Sequence, residues 1–263
     1  MRLAMMHGDL IPSGALRSLG FEAVQVFFGS GAQGGDKDPE PATVDRILAA
    51  GNTALAAMTV HVDLVGPQGS IAADVDRLVR CVEKTAALDG RFGANQKPVL
   101  IWHPSSYPKA ADVDDRAVFG GLCEALSTAC TAAERSDVHI AVEITRAGSV
   151  GSAETFMRLK DHVPSPALKV CMDAANFVPD RTPCDRALRL LGPDTVIAHG
   201  KDVRFQADGQ VEAYGPVGSG TVNYPEYMQL LQQYGKAAYF VLEYYRSRQD
   251  LLRARDIVSA AMS

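Results

Sequence analysis

The sequence predicts a closed (β/α)8 barrel, an α/β fold in which eight parallel strands ring a core and helices cover the outside. Three observations predict it. Short β-branched or apolar runs alternate with longer segments of helical period, the pattern of repeated βα units. Eight such pairs can be counted along the 263 residues, and about 33 residues each is the size of one βα repeat. No low-complexity linker, charge block or internal repeat divides the chain, so residues 1–263 read as a single domain.

Taken in order, the strand candidates are Arg2 to Met6, Ala23 to Phe28, Ala54 to His61, Val99 to His103, His139 to Ile144, Leu168 to Asp173, Thr195 to His199 and Tyr239 to Glu243. Helix punctuation lies between them. Thr182-Pro183-Cys184-Asp185 offers an N-cap, a proline at the first helical position and an acid in the first turn, and Gly192 follows Leu190-Leu191 as a stop. Asn223-Tyr224-Pro225-Glu226 repeats that logic and ends at Gly235, while Gly51 and Gly90 come after other apolar-periodic stretches. The glycine-rich stretch Gly29 to Gly35 falls in the second βα loop. It has no G-x-G-x-x-G leading directly into a helix, so it reads as a mobile loop rather than a nucleotide cradle.

Composition narrows the function classes. Lys+Arg 26 against Asp+Glu 31 give a formal net charge of -5, whereas nucleic-acid binding rests on a basic face. No nucleic-acid partner is expected. His7 and Asp9 interrupt what would have to be the apolar stretch of a signal peptide, and no apolar run reaches the ~18 residues of a membrane span. The chain reads as soluble and cytoplasmic, without a membrane partner. Cys81, Cys123, Cys130, Cys171 and Cys184 are odd in number and include no C-x-x-C pair, so they read as reduced, mainly buried thiols.

The chemistry sits at the ends of the strands. In a parallel barrel catalysis belongs to the C-terminal rim, and inward-pointing residues alternate with those facing the helices. In His139-Ile140-Ala141-Val142-Glu143 the bulky Ile140 and Val142 lie out of phase with Glu143, which therefore points into the barrel mouth. The same phase places Asp173 with Cys171, His199 with Ile197, and Glu243 with Val241. Four consecutive strands thus each end in a metal-ligand type. Three carboxylates crowded into one mouth would repel one another unless a cation held them. With an imidazole they suit one divalent ion such as Mn²⁺, Co²⁺ or Mg²⁺. His61 and His103 end two earlier strands on the same rim, where substrate contact or support behind the ligands, rather than direct ligation, is expected.

These residues resemble a known group, the xylose isomerase-like TIM barrels: sugar phosphate isomerases and epimerases, ketose 3-epimerases, inosose dehydratases and, more distantly, the endonuclease IV type of nuclease. The carrying motifs are Val142-Glu143-Ile144, Asp173-Ala174-Ala175-Asn176, His199-Gly200-Lys201-Asp202, the loop Gly218 to Tyr224, and Leu242-Glu243-Tyr244. Their order and spacing, rather than any one of them, carry the likeness along nearly the whole chain. The resemblance implies metal ligation by Glu143, Asp173, His199 and Glu243, in agreement with the strand phase. It places Asn176 where epimerases often have a substrate-binding His, and Arg204 near an arginine that grips substrate oxygen. The nuclease pattern departs at two positions. Its histidine three after Asp173 is Asn176, and its Asp-x-His aligns with Glu212-Ala213-Tyr214.

The strand-end residues and the resemblance together imply a divalent-metal-dependent isomerase or epimerase of a small carbohydrate, phosphorylated or not, working by proton transfer next to a carbonyl through an enediolate. Glu143 and Glu243 are the expected acid/base pair, with His61, His103, Asn176 and Arg204 orienting the substrate. Loss of a leaving group from the same enediolate would instead make a dehydratase or lyase of a keto-sugar or inosose. A nuclease or a non-catalytic subunit is the remote alternative. Lys201-Asp202 reads as a brace behind the metal histidine. The resemblance also implies assembly into a homo-oligomer.

Overall fold

The computed structural model describes residues 1–8, 16–104, 115–146 and 148–262. Asp9, one of the two residues that argue against a signal peptide, lies outside them. In chain order the elements are β1 (Arg2–Met6), β2 (Ala23–Phe27), α1 (Pro41–Gly51), β3 (Ala54–His61), the short pair β4 (Val65–Gly66) and β5 (Gly69–Ser70), α2 (Ala72–Ala86), β6 (Val99–His103), α3 (Asp115–Arg135), β7 (His139–Glu143), α4 (Ala153–His162) and β8 (Leu168–Asp173). Then come α5 (Cys184–Leu191), β9 (Thr195–Gly200), the hairpin β10 (Asp202–Phe205) and β11 (Val211–Gly215), α6 (Tyr224–Tyr234), β12 (Tyr239–Leu242) and α7 (Arg248–Met262). The strands β1-β12-β9-β8-β7-β6-β3-β2 close into a parallel barrel, the predicted fold.

All eight expected strands are present. Two hairpins were not expected, and the first βα connection shows only a 3-10 turn, Arg17–Leu19, among the described residues. Residue contacts divide the chain into two compact units, with three boundaries inside β2, β3 and β8 and one inside α1.

The first unit comprises Met1–Gln25, Asp45–Ala56 and Cys171–Ser263. Here β1 pairs with β2 (Met6 opposite Gln25) and with β12 (Met5 opposite Leu242), and β12 pairs with β9 (Val241 opposite His199). Helix α6 starts as the sequence implies: the Asn223 side chain accepts from the Glu226 amide at 3.3 Å, and Glu226 accepts back from Asn223. Helix α5 starts one residue later than expected. Pro183 is its N-cap rather than its first turn, and Thr182 makes no cap. Gly192 stays right-handed and opens a 3-10 turn instead of closing the helix.

The second unit comprises Val26–Val44 and Ala57–Val170. Strand β6 is paired on both sides, His103 opposite His61 and Val99 opposite His139. Trp102, out of phase with His103, is fully buried and donates its indole N–H to the Val62 carbonyl at 2.9 Å. The loop Gly29 to Gly35 is packed. A Cβ on Gly29 would lie 2.0 Å from the Gly34 carbonyl oxygen, so only glycine allows the two backbones to touch. Asp38 holds this turn from behind, accepting from the Gly29 amide at 3.1 Å. Arg77 of α2 donates to Asp38 Oδ2 at 2.8 Å, to Asp38 Oδ1 and to the Gly29 carbonyl at 2.9 Å, and Lys84 Nζ lies 2.7 Å from Asp38 Oδ2. Burial pushes the Asp38 carboxyl up, but its hydrogen bonds to Arg77 and Lys84 outweigh burial and hold it below its ordinary value.

All five cysteines are free. Burial pushes the thiols of Cys81, Cys130 and Cys184 up to about 12, which leaves them protonated and inert.

Candidate active site

Asp173, His199, Lys201 and Glu243 come together where β8, β9 and β12 end, and all four are buried. Asp173 ends β8 with its two oxygens doing different things. Oδ1 accepts from the Ala175 amide at 2.9 Å and caps the turn Ala174–Asn176, while Oδ2 lies 2.5 Å from Lys201 Nζ. The same ammonium lies 2.8 Å from Glu243 Oε1. His199 turns Nδ1 toward Glu243, 3.8 Å from Oε2. Its other nitrogen lies 2.9 Å from Gln25 Oε1, an acceptor, so Nε2 is the donor in that hydrogen bond and Nδ1 is the nitrogen that faces the acids. Asp173, His199 and Glu243 each offer a ligand atom within 4.8 Å of the others.

This geometry tests the donor set for an ion. Two buried carboxylates and an imidazole whose tautomer is fixed by Gln25 form an oxygen-rich set with one nitrogen, suited to a hard or borderline divalent cation. The residues present fit such an ion.

The strand ends are held from outside by two tyrosines of α6. Tyr227 donates its hydroxyl to the Met172 carbonyl at 2.9 Å and lies 3.4 Å from that of His199, tying β8 to β9. Tyr224 donates to the Lys201 carbonyl at 2.6 Å. Burial, and next the Asp173 charge, push both phenols well above their ordinary range, so they remain neutral donors. Asp202 fastens the loop that leads into α6, accepting from the amides of Val203, Gly218 and Val222 at 2.9, 3.0 and 3.0 Å. A Cβ on Gly220 would lie 2.2 Å from the Val203 carbonyl, so that close approach needs glycine.

Glu143 ends β7 in the second unit and is 4% exposed, in the inward phase read from the sequence. His61 and His103, on neighbouring strands of that unit, stack with ring centroids 4.4 Å apart and planes 15° from parallel. Asn176 is buried in the turn that Asp173 caps. Arg204 stands on the exposed side of β10, its Nε 3.4 Å from Glu212 Oε2. The cation at the carboxylates is Lys201, which the sequence marked only as a brace, and Gln25 was not marked at all.

A parallel barrel that collects acids, an imidazole and an amine at the C-terminal ends of its strands has the layout in which barrels of this kind carry out catalysis. The chain belongs to the xylose isomerase-like TIM barrel family, whose model matches residues 14–262. No curated protein matches it in sequence. Solved structures share its fold. One is the probable 3-DHS dehydratase AsbF from Bacillus anthracis, 16% identical, with a TM-score of 0.71 over 100% of this chain and 97% of that one. Another is D-psicose 3-epimerase from Clostridium cellulolyticum H10, determined with D-tagatose, 13% identical, with a TM-score of 0.71 over 100% of both chains. A third is a xylose isomerase-like TIM barrel protein from Mycobacterium smegmatis in complex with magnesium, 14% identical, with a TM-score of 0.65 over 100% of this chain and 98% of that one. The solved structures that share the fold thus include sugar epimerases and a probable dehydratase. No described helix is long and apolar enough to cross a membrane.

Proposed function

We propose that the protein is a divalent-metal-dependent isomerase or epimerase of a small carbohydrate. The observation that carries this reading is the cluster of Asp173, His199 and Glu243 around Lys201, with the histidine tautomer set by Gln25. Glu143 is the fourth ligand in this reading. It is supported by its inward phase and by the position of β7 next to β8 in the strand order. The ion, when bound, supplies Lewis-acid stabilisation of charge developing on a carbonyl oxygen.

The chain's own residues do the rest. Glu143 and Glu243, on different strands, act as base and acid, one taking the proton next to the carbonyl and the other returning one to the opposite face. Asp173 has Oδ1 committed to its cap, which leaves Oδ2 as its ligand oxygen. Lys201 offsets carboxylate charge that burial would otherwise make costly. His61, His103 and Asn176 orient substrate hydroxyls. Arg204, whose Nε lies 3.4 Å from Glu212 Oε2 on its hairpin, is the residue proposed to grip a substrate oxygen.

A second reading is favoured by one observation. Lys201 Nζ lies 2.8 Å from Glu243 Oε1, and this pair could deliver a proton to a departing hydroxyl, so that the enediolate loses water instead of regaining a proton. That would make the enzyme a dehydratase of a keto-sugar or inosose. The test is solvent-proton exchange in D₂O, monitored by NMR over a panel of ketoses, ketose phosphates and inososes, with and without chelator. Chelator-sensitive exchange next to the carbonyl supports an isomerase or epimerase, and an unsaturated product supports the dehydratase. Neither with any member of the panel would overturn both readings.

A further inference from the structure

Tyr244 is in an unusual position. Among the described residues it is one of two large apolar side chains left exposed, and its backbone is left-handed, with φ 58°. A bulky residue in that conformation is strained, and such strain persists where the surroundings enforce it, often at ligand sites. It directly succeeds Glu243. Its ring centroid lies 5.5 Å from Lys201 Nζ, and the ring of Tyr214 lies at the same 5.5 Å from that ammonium. The two rings are 6.1 Å apart and tilted by 54°, forming a corner beside the buried acid and amine cluster. Tyr214 is delivered by the β10–β11 hairpin, an addition that the eight-stranded barrel does not need, and Asp202 fastens the loop after that hairpin with two amide hydrogen bonds.

We propose that Tyr214 and Tyr244 are specificity-determining residues that receive the C–H face of a cyclic polyol, so that the substrate is ring-shaped rather than open-chain. The inference rests on the sugar-processing reading above and names the substrate class for that site. A six-membered polyol ring presents a flat patch of C–H groups that stacks on an aromatic face, while its hydroxyls at the rim remain free for charged and polar partners. An open-chain polyol has no such face and would lose conformational entropy on being held flat. The Lys201 ammonium polarises both tyrosine rings from one side and keeps them beside the acids that perform the chemistry.

The test uses the Mg²⁺-loaded full chain and saturation-transfer NMR, with myo-inositol as the cyclic probe and sorbitol as the open-chain one, alongside melting curves. Tyr244→Asn places a residue that tolerates the left-handed backbone, so the fold should keep or raise its melting temperature. Myo-inositol binding should weaken by about three- to tenfold. Tyr214→Leu should weaken it similarly, Tyr214→Phe should not, and sorbitol should bind the parent protein more weakly than myo-inositol. Equal binding of the two probes, or unchanged myo-inositol binding in Tyr244→Asn and Tyr214→Leu, would overturn the proposal. So would a lower melting temperature for Tyr244→Asn with binding intact, because the ring would then be structural. Proton exchange on open-chain ketoses with indifferent tyrosine variants would sink this inference alone. Absence of both exchange and polyol binding would sink the sugar reading with it.

Discussion

Lys201 Nζ lies 2.5 Å from Asp173 Oδ2 inside the site, with both side chains almost completely buried. Removing one member of a buried pair leaves an uncompensated charge and costs about 3–5 kcal/mol. Lys201→Met should therefore destabilise the metal-free protein by about that amount. In the proposed scheme a divalent ion neutralises the same carboxylates, so Mn²⁺ should raise the melting temperature of the variant more than that of the parent. Thermal melts in chelator and in Mn²⁺ check this, and equal increments would contradict it.

Glu143 and Glu243 are the proposed proton-transfer pair. Glu143→Gln and Glu243→Gln should each lower solvent-proton exchange by about 10²–10⁴-fold, the usual contribution of a positioned acid or base. Full exchange in either variant would remove that residue from the assignment. Exchange rates in D₂O for purified, correctly folded variants provide the measurement.

Residues 139–143 show how far the sequence alone reached. Alternation between Ile140, Val142 and the Ala141-Glu143 phase was enough to locate the strand, because one side of a barrel strand must be apolar. Asp173, His199 and Glu243 were legible for the same reason. Lys201 was visible but undervalued, because it lies just past the strand end, where phase no longer says which way a side chain turns. Gln25 gave a weaker signal, one polar residue in an otherwise apolar strand. Its meaning depends on a partner 174 positions away, which no local pattern encodes. The hairpin at 202–215 did carry a local signal, since Val203 and Phe205 alternate with Asp202, Arg204 and Gln206, Val211 and Ala213 alternate with Glu212 and Tyr214, and Asp208-Gly209 between them is a turn; counting one strand per βα repeat passed over it.

His139 gives a pH signature separate from the site. Burial, and next the charges of Lys169 and Lys97, lower its pKa from the ordinary 6.5 to about 4. Between those values the unfolded chain binds a proton that the folded one does not, so stability should fall as pH drops from 6.5 toward 4. His139→Gln should flatten that decline. Urea midpoints across this range are the check, and identical slopes for the two proteins would refute the assignment.

Arg77 and Asp38 form a second buried pair, which braces the glycine-rich turn. Arg77→Met should cost about 3–5 kcal/mol by stranding the acid, and adding Asp38→Asn should recover part of the loss. The carboxyl is held below its ordinary value, so the pair's stabilisation is present above about pH 4 and is lost as pH falls further. Denaturation of the single and double variants at pH 7 and pH 3 measures both effects. Additive losses would contradict the pairing.

The most direct measurement is calorimetric titration of chelator-treated protein with Mn²⁺, for the parent and for Glu143→Ala, Asp173→Asn, His199→Ala and Glu243→Ala. One ion per chain is expected in the parent, with that binding lost in each of the four variants. No stoichiometric binding by the parent, or undiminished binding after Glu143→Ala and His199→Ala, would contradict it.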